Sequence, residues 1–465
     1  MAEMMKNWII ADRSQLLLLQ PSIDEWLPED HLARFVVEVV EQLDLSPILA
    51  KYEGRARGSN PYHPALLTAL LIYGYATGVM SSRKIELATR ESVPFRFIAG
   101  GHHPDHTTLS EFRRRHLEEL SALFVEVLLL AREMGFLKVG TVAIDGTKVK
   151  ANASKHAAVS YKRARALERQ LRNEVDKLME AAEGADNTPL REGVDIPAEI
   201  ARREERIEKL RAAQRVIEER RAQEAVEEYR EQHERHIEKT GEAVARALSK
   251  KKGRARRLPD PPERPSLEPD DKAQHNFTDP DSRIMPDGGA FSQAYNGQLS
   301  VDTATMLIVG QHVTQHTNDK QELLPAIGSI NREIYTPEAV LADAGYYSEE
   351  NISKAPEEID LLVSPGKTRH NLSLEERLGP APEGPAPANA TPAAAMRHKL
   401  RTEAGHQLYR LRKMTVEPVI GIIKQAMGVR QFLLRGAGKV RGKWGLVCLG
   451  YNLRRLWSLK TAPQA

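Results

Sequence analysis

The chain has 465 residues, of which 41% are hydrophobic and 28% are charged, so we expect a mainly globular protein of two or three domains with ample material for a core. Its single cysteine, Cys448, excludes an internal disulfide and a cysteine-ligated zinc site and fits a reducing cytoplasm. We expect neither a signal peptide nor a membrane partner, and the lack of a GxxxxGK[ST] loop argues against ATP-driven chemistry.

Residues 1–136 are predicted to form a helical N-terminal domain, because apolar residues recur three and four positions apart. One of these helices begins near Asp105 or Thr107, either of which suits an N-cap, and it carries Arg113 and Arg114. A helix-turn-helix unit with these arginines on DNA is one interpretation. The alternative is a plain helical bundle whose arginines face water.

The pattern changes to strands in residues 137–155, where Asp145 follows a short apolar run and precedes Gly146. Glycine lets the backbone turn away from a strand at that point. Residues 156–270 then show two charged helices with apolar seams on either side of a turn-like segment, which predicts a helical-hairpin insertion.

Strands resume after residue 271, and Asp343 ends another buried apolar run. A Pro/Ala-rich linker is predicted at residues 366–396. Residues 137–155 and 271–460 together therefore predict one α/β domain, a mixed sheet flanked by helices.

The C-terminal segment is strongly basic: residues 397–460 contain fifteen Lys and Arg against two acids, one of which is Glu417. Such a segment is typical of a polyanion-binding surface, although a solvated basic face gives the same pattern. In helical register Tyr409, Arg412 or Lys413, Glu417 and Lys424 lie near one face. Pro418 follows Glu417 directly and predicts a kink or a helix restart there.

Two aspartates at strand ends and a helical glutamate are the ligands that divalent cations prefer. Mg²⁺ takes hard oxygen donors, and two such ions assist phosphoryl transfer by activating the attacking oxygen and stabilising the leaving one. If the strands of Asp145 and Asp343 are neighbours, their carboxylates converge, and a bound cation relieves the repulsion between them.

On these residues the chain resembles the DDE transposases of bacterial insertion sequences, whose core has a ribonuclease H-like fold. One subset carries the helix signature Y-x2-R-x3-E-x6-K, and this sequence has Tyr409, Arg412, Glu417 and Lys424. The Arg-to-Glu interval is one residue longer, so that either Arg412 or Lys413 fills the basic position. The segments around Asp145 and Asp343, and the helical N-terminal region, also resemble the family.

The resemblance implies a transposase that binds the terminal repeats of its element, cleaves DNA and joins the 3′-hydroxyl to target DNA. Asp145, Asp343 and Glu417 would be catalytic metal ligands for Mg²⁺, or Mn²⁺, with two ions expected. The expected DNA contacts are Tyr409, Arg412, Lys413, Lys424, Arg113 and Arg114. A homodimer on paired double-stranded DNA ends and a cytoplasmic, nucleoid-associated location are expected as well.

Other functions are compatible with the same residues. A nuclease of the same fold would cut without joining strands, and a silent DNA-binding descendant would do neither. A structural coiled coil is disfavoured because the apolar seams cover only the insertion. The pair His312 and His316 is a weak zinc candidate, since the sequence shows no third ligand placed to complete it. Trp444 and Cys448 are expected in the core.

Overall fold

The computed structural model describes residues 22–52, 61–184, 195–249, 260–287, 289–366, 379, 381–387 and 389–462. Six described strands form one mixed sheet, and β1 (Gly140–Lys150) lies at its centre. The strands on one side of β1 are antiparallel: β5 (Ala290–Asp302) pairs with β1, and β4 (Arg283–Asp287) and β6 (Ile308–Thr314) both pair with β5. The prediction of a mixed sheet is therefore confirmed.

On the other side of β1 the strands are parallel. β7 (Pro337–Ala342) pairs with β1, and β8 (Asp360–Val363) pairs with β7. The order β6-β5-β1-β7-β8, in which β7 and β8 run parallel to β1, agrees with the predicted ribonuclease H-like sheet. It also makes the strands of Asp145 and Asp343 direct neighbours.

The N-terminal region is helical, as predicted. Its α-helices are α1 (Leu32–Gln42), α2 (Ser46–Leu49), α3 (Pro64–Thr77), α4 (Ser82–Glu91), α5 (Val93–Ile98), α6 (His106–Arg115) and α7 (Leu117–Glu133). Asp105 caps α6 by accepting from the amides of Thr107 and Thr108, which settles the choice of N-cap in its favour.

These helices do not form a core of their own. Helices α3 and α7 pack against the C-terminal helix α14 (Ala437–Thr461), and one continuous cluster of buried apolar side chains joins all three to the sheet. Close approach depends on Gly442, where a Cβ would come within 2.6 Å of the Leu117 side chain. Trp444 and Cys448 are fully buried in this core, as expected.

The insertion consists of α8 (Tyr161–Gly184) and α9 (Ile196–Ser249), which pack along a separate apolar seam that includes Leu171 and Leu210. A two-stranded ribbon of β2 (Ala158–Ser160) and β3 (Gln274–Asn276) closes its base. The predicted turn of the hairpin, at residues 185–194, lies outside the described residues.

The remaining α-helices of the described chain are α10 (Leu323–Gly328), α11 (Glu349–Lys354), α12 (Pro392–Arg401) and α13 (Glu403–Gly421). Helix α12 begins inside the segment predicted as a linker, because Thr391 caps it and Pro392 suits the first helical turn. Residues 367–378, 380 and 388 of that predicted linker lie outside the described residues.

Within the described ranges, no single helix is long and apolar enough to span a membrane; α3 and α4 meet the length and composition test only as a pair, and they are bent by 96°.

Candidate active site

The central strand and its parallel neighbour bring Asp145 and Asp343 together. Asp145 lies within β1, two residues beyond the pairing of Ala143 with Leu341 on β7. Asp343 follows the end of β7 directly, and its carboxylate accepts a hydrogen bond of 2.8 Å from the amide of Gly345. Both aspartates therefore lie side by side just beyond the end of the parallel β1–β7 pairing, and the expected convergence is present. Contrary to the sequence expectation, only β7 ends here, because β1 continues past Asp145 to Lys150 in its pairing with β5.

Burial and repulsion perturb Asp145. Its side chain is 21% exposed, and burial, together with the Asp343 carboxylate, raises the pKa of Asp145 from 3.8 to about 6. The Arg412 guanidinium and the Gly146 amide, which donates to the carboxylate at 2.8 Å, oppose that rise. A buried carboxylate that resists ionisation beside a second acid is an environment that a bound cation would stabilise.

Helix α13 brings Glu417 to this site, where Arg412 of the same helix contacts both Glu417 and Asp145. The buried Arg412 places Nη1 3.3 Å from Oδ2 of Asp145 and Nη2 3.6 Å from Oε1 of Glu417. Its Nε is buried without a hydrogen-bond partner among the described residues. The guanidinium thus lies between the two carboxylates, while the Glu417 side chain is 54% exposed.

The predicted restart of the helix at Pro418 is wrong, since α13 runs without interruption through Glu417 and Pro418 to Gly421. The distortion comes later, as a π-helical turn at Ile422–Ala426 that contains Lys424. Single π-helical turns inside helices are common at functional sites. Burial lowers the pKa of Lys424, which also lies close enough to Asp287 and Lys148 to interact electrostatically with them.

The other signature residues have distinct positions. The Tyr409 hydroxyl donates to the carbonyl of Ala342 at 3.2 Å, so it fixes the end of the strand that precedes Asp343. Lys413 is exposed, whereas Arg412 faces the aspartate. The geometry therefore favours Arg412 for the basic position that the sequence left open.

The fit to a divalent cation is partial. The donor types are right, because Asp145, Asp343 and Glu417 offer only carboxylate oxygens. However, no group of three carboxylate, imidazole or thiol side chains in the described part of the chain is assembled closely enough to hold a metal ion. Asp145 and Asp343 are neighbours, but Glu417 meets them only across Arg412.

Sequence reasoning missed a further acid beneath the site. Asp319 lies in the loop before α10, and its Oδ1 accepts from the side-chain amides of Asn296 and Gln298, each at 2.7 Å, and lies 3.3 Å from Lys148. A Cβ on Gly146 would come within 2.8 Å of the same oxygen. Glycine is required at this position because it leaves room for Asp319 on the face of β1 opposite Asp145.

Tyr346 connects this network to the second aspartate. It follows Asp343 by three residues, is fully buried and donates through its hydroxyl to Gln298. The loops that carry Asp319 and Asp343 therefore share one polar cluster, which Gln298 connects. The only local signal for Asp319 is a polar loop sequence, which does not distinguish a functional carboxylate from an ordinary turn residue.

His312 and His316 share a carboxylate partner, contrary to the expectation from sequence that no third ligand is placed beside them. The buried Glu322 carboxylate bonds Nε2 of His312 at 2.6 Å and Nδ1 of His316 at 2.5 Å. Burial alone would raise the pKa of Glu322, but the two hydrogen bonds outweigh it and lower that pKa to about 2, while the carboxylate raises the pKa of His316. The three side chains bond one another and are not arranged to bind a metal, in agreement with the general finding above.

The arginines of α6 differ from each other. Arg113 is half-buried and donates to the carbonyl of Met80 at 3.0 Å, which ties α6 to the turn before α4. Arg114 is exposed and pairs with Glu111 on its own helix at 2.6 Å. Neither interaction distinguishes a helix-turn-helix reader from a plain bundle.

Comparison with known protein families agrees with the interpretation of both ends of the chain. A family described as Transposase domain (DUF772) matches residues 21–115, and a Transposase DDE domain matches residues 386–457. The second match contains Tyr409, Arg412, Glu417 and Lys424. No curated protein and no solved structure matches at a significant level.

These two matches confirm the resemblance to the insertion-sequence type of DDE transposase. The chain accordingly carries transposase domains in its N-terminal and C-terminal regions, which supports a transposase function and a DNA substrate. DDE transposases generally use divalent metal ions.

Proposed function

We propose that this protein binds the ends of its own insertion sequence, cleaves the DNA in a metal-dependent reaction and transfers the freed strand to target DNA. The observation that carries the proposal is the meeting of Asp145 on β1 with Asp343 directly after the neighbouring strand β7, while Arg412 links Glu417 to Asp145. The transposase-domain matches at both ends of the chain support it.

In this proposal Asp145, Asp343 and Glu417 hold the divalent ions, Mg²⁺ or Mn²⁺ and two in number. Bound there, the ions would supply activation of the attacking oxygen and stabilisation of the leaving oxygen. Asp145 is mostly ionised at neutral pH even with a pKa of about 6, so it is available as a ligand. Arg412 neutralises Asp145 and Glu417 until the site is loaded.

The basic helices position the DNA. Lys424, on the π-helical turn after Glu417, and the exposed Lys413 offer cations for phosphates next to the scissile bond. Tyr409 acts by holding the strand end before Asp343. Arg113 and Arg114 on α6 supply further phosphate contacts in the N-terminal region. We further propose a homodimer on paired ends and a cytoplasmic location at the nucleoid.

Cleavage of a labelled duplex that carries the presumed end of the element, with Mg²⁺, tests the proposal. Asp145→Asn, Asp343→Asn and Glu417→Gln should each abolish nicking while sparing DNA binding. Glu403→Gln, an exposed carboxylate at the start of the same helix as Glu417, is the matched control and should cleave normally. Full cleavage by any of the three site variants would refute the assignment.

Two alternatives give different results. Pre-cut ends offered with a target plasmid separate a transposase from a nuclease of the same fold, because only the transposase forms joined products. Binding of paired ends without cleavage, by the wild type as well as the variants, would indicate a silent DNA-binding descendant.

A further inference from the structure

A cavity lined by basic residues lies where the N-terminal helices meet the C-terminal helix α14. A cavity of about 320 Å³ opens between the start of α4, α6 and α14. Four of the described residues that line it can carry positive charge: Arg83, His106, Arg113 and Lys443. None of the described lining residues is an aspartate or a glutamate. The carboxylate of Glu86 is hydrogen-bonded to both the ring and the amide of His106.

Lys443 is the most unusual of these residues. It is only 5% exposed, and its ammonium group lies 6.0 Å from the centre of the Phe432 ring. No carboxylate pairs with it among the described residues, and burial together with Arg113 lowers the pKa of Lys443 to about 8. A buried ammonium without a counter-ion is costly, and an anion in the cavity would offset that cost.

The start of α4 supplies donors on the opposite side of the cavity. Ser81 is the N-cap residue of this ten-residue helix, yet its side chain does not cap it. Ser82, 7% exposed, has a buried hydroxyl without a hydrogen-bond partner among the described residues. The first-turn amides of a helix and its dipole favour an anion, and Ser82, whose hydroxyl has no partner, lines the same cavity.

Arg113 holds this arrangement in place. Its guanidinium donates to the carbonyl of Met80, directly before the N-cap, and lines the cavity beside Lys443. The site is thus assembled from three separate parts of the chain: the α3–α4 turn, α6 and α14.

We propose that this cavity binds a phosphate group of the DNA backbone, held by Lys443, Arg113, the Ser82 hydroxyl and the amino-terminal amides of α4. The proposal extends the transposase function proposed above, because it gives the junction between the two matched regions a direct contact with the substrate. A phosphate contact of this kind is independent of base sequence and fixes the position of the protein on the duplex.

Inorganic phosphate is the first probe, since this experiment requires no DNA. Phosphate should raise the unfolding temperature of the full chain above its value in chloride of equal ionic strength, as any ligand of the folded state does. Lys443→Met should abolish this rise, Lys443→Arg should retain it, and Ser82→Ala should reduce it without a change in charge. Lys439→Met, an exposed lysine one turn earlier on α14, is the matched control and should respond as the wild type does.

Folding of the key variant can be checked in the same measurement. In chloride Lys443→Met should unfold at a temperature equal to or above that of the wild type, because the substitution removes a buried charge without a counter-ion. An undiminished phosphate response in Lys443→Met would overturn the proposal.

Binding of a random-sequence duplex, with chelator present to prevent cleavage, tests the source of the phosphate. Lys443→Met should bind roughly tenfold more weakly, and the slope of log affinity against log salt should fall by about 1. A phosphate response that is lost in Lys443→Met while DNA affinity and salt slope are unchanged would assign the cavity to free phosphate and overturn the DNA contact. Neither readout depends on cleavage, so that a failure here is distinct from a failure of Asp145, Asp343 and Glu417 as the catalytic set.

Discussion

Arg412 on α13 and Asp145 on the central strand β1 form an ion pair, with 3.3 Å between the guanidinium and the carboxylate. The same guanidinium lies 3.6 Å from Glu417, which makes it the link between two of the three proposed metal ligands. A cation that binds Asp145 must compete with Arg412 for its charge. Arg412 therefore lowers the pKa of Asp145 against the effects of burial and Asp343, and in the proposed site a bound cation would take over that charge compensation.

Substitution of Arg412 should be more damaging than that of Lys413. Arg412→Gln removes the positive charge beside Asp145, so we expect the pKa of Asp145 to rise further and cleavage to fall by at least about tenfold, the cost of losing roughly 1.4 kcal/mol in the transition state. Lys413→Gln removes an exposed charge and should lose less. Parallel rate measurements decide the point, and a larger loss for Lys413→Gln would give the basic position to that residue.

The contribution of Asp145 to the stability of the folded state should decrease as the pH rises from about 4 to about 6. Because the pKa of Asp145 is raised from 3.8 to about 6, the folded state binds more protons than the unfolded state in this window. The stability lost across it is about 2–3 kcal/mol. Asp145→Asn should remove this component, and the measurement is the difference between the two unfolding curves against pH in metal-free buffer. Parallel curves for the two proteins would contradict the raised pKa.

A methyl group at Gly146 should displace the Asp319 carboxylate and the side chains that bind it. In Gly146→Ala the new Cβ would come within 2.8 Å of Asp319 Oδ1 and 2.9 Å of Asn296 Oδ1, so we expect a loss of about 1–3 kcal/mol in unfolding free energy and impaired cleavage. Gly438→Ala, with nothing within 4 Å of the added methyl group, is the control. Denaturant titration of both variants measures the effect, and equal stability would show that the network yields easily.

The His312–Glu322–His316 cluster should stabilise the protein most between about pH 4.5 and 6.5. The pKa of Glu322 is lowered from 4.5 to about 2, so its contribution is present above pH 4.5 and is lost as the pH falls toward 2. The raised pKa of His316 gives a contribution that is full below 6.5 and is lost as the pH rises through the folded pKa.

Glu322→Gln tests this cluster. At pH 5.5 it should lower the unfolding free energy by about 2 kcal/mol, because the glutamine amide keeps one acceptor oxygen, and the one lost hydrogen bond to a charged group is worth roughly that much. The loss should shrink at pH 8.5. Glu338→Gln, an exposed carboxylate on β7, should change stability little at either pH. A loss that is independent of pH would show that packing, and not charge, is the role of Glu322.

The candidate site was accessible from sequence where local pattern and chemistry coincide. Asp145 and Asp343 each end an apolar run, and Glu417 stands alone among basic residues on a helix. Such features depend on residues that are close along the chain, and short-range periodicity records them directly. The strand at Asp145, the mixed sheet and the helical N-terminal region followed from the same kind of pattern.

Pairings between distant segments were decided only by the tertiary structure. The parallel alignment of β1 with β7 determines that Asp145 and Asp343 meet. The antiparallel alignment of β1 with β5 brings Asn296 and Gln298, which bind Asp319, next to Gly146. The choice of Arg412 over Lys413 depends on which side of α13 packs against the sheet. Sequence pattern leaves these choices open because strand order and helix rotation are set by the burial of the whole core.

By itself, the sequence of this protein determined the type of its elements, its acidic and basic signature residues and the transposase resemblance. The fold alone decided the continuity of α13 through Pro418, the Glu322 partner of the histidines and the burial of Lys443 without a counter-ion. Periodicity and motif chemistry are local properties, whereas desolvation and charge pairing depend on what the folded chain brings within a few ångströms.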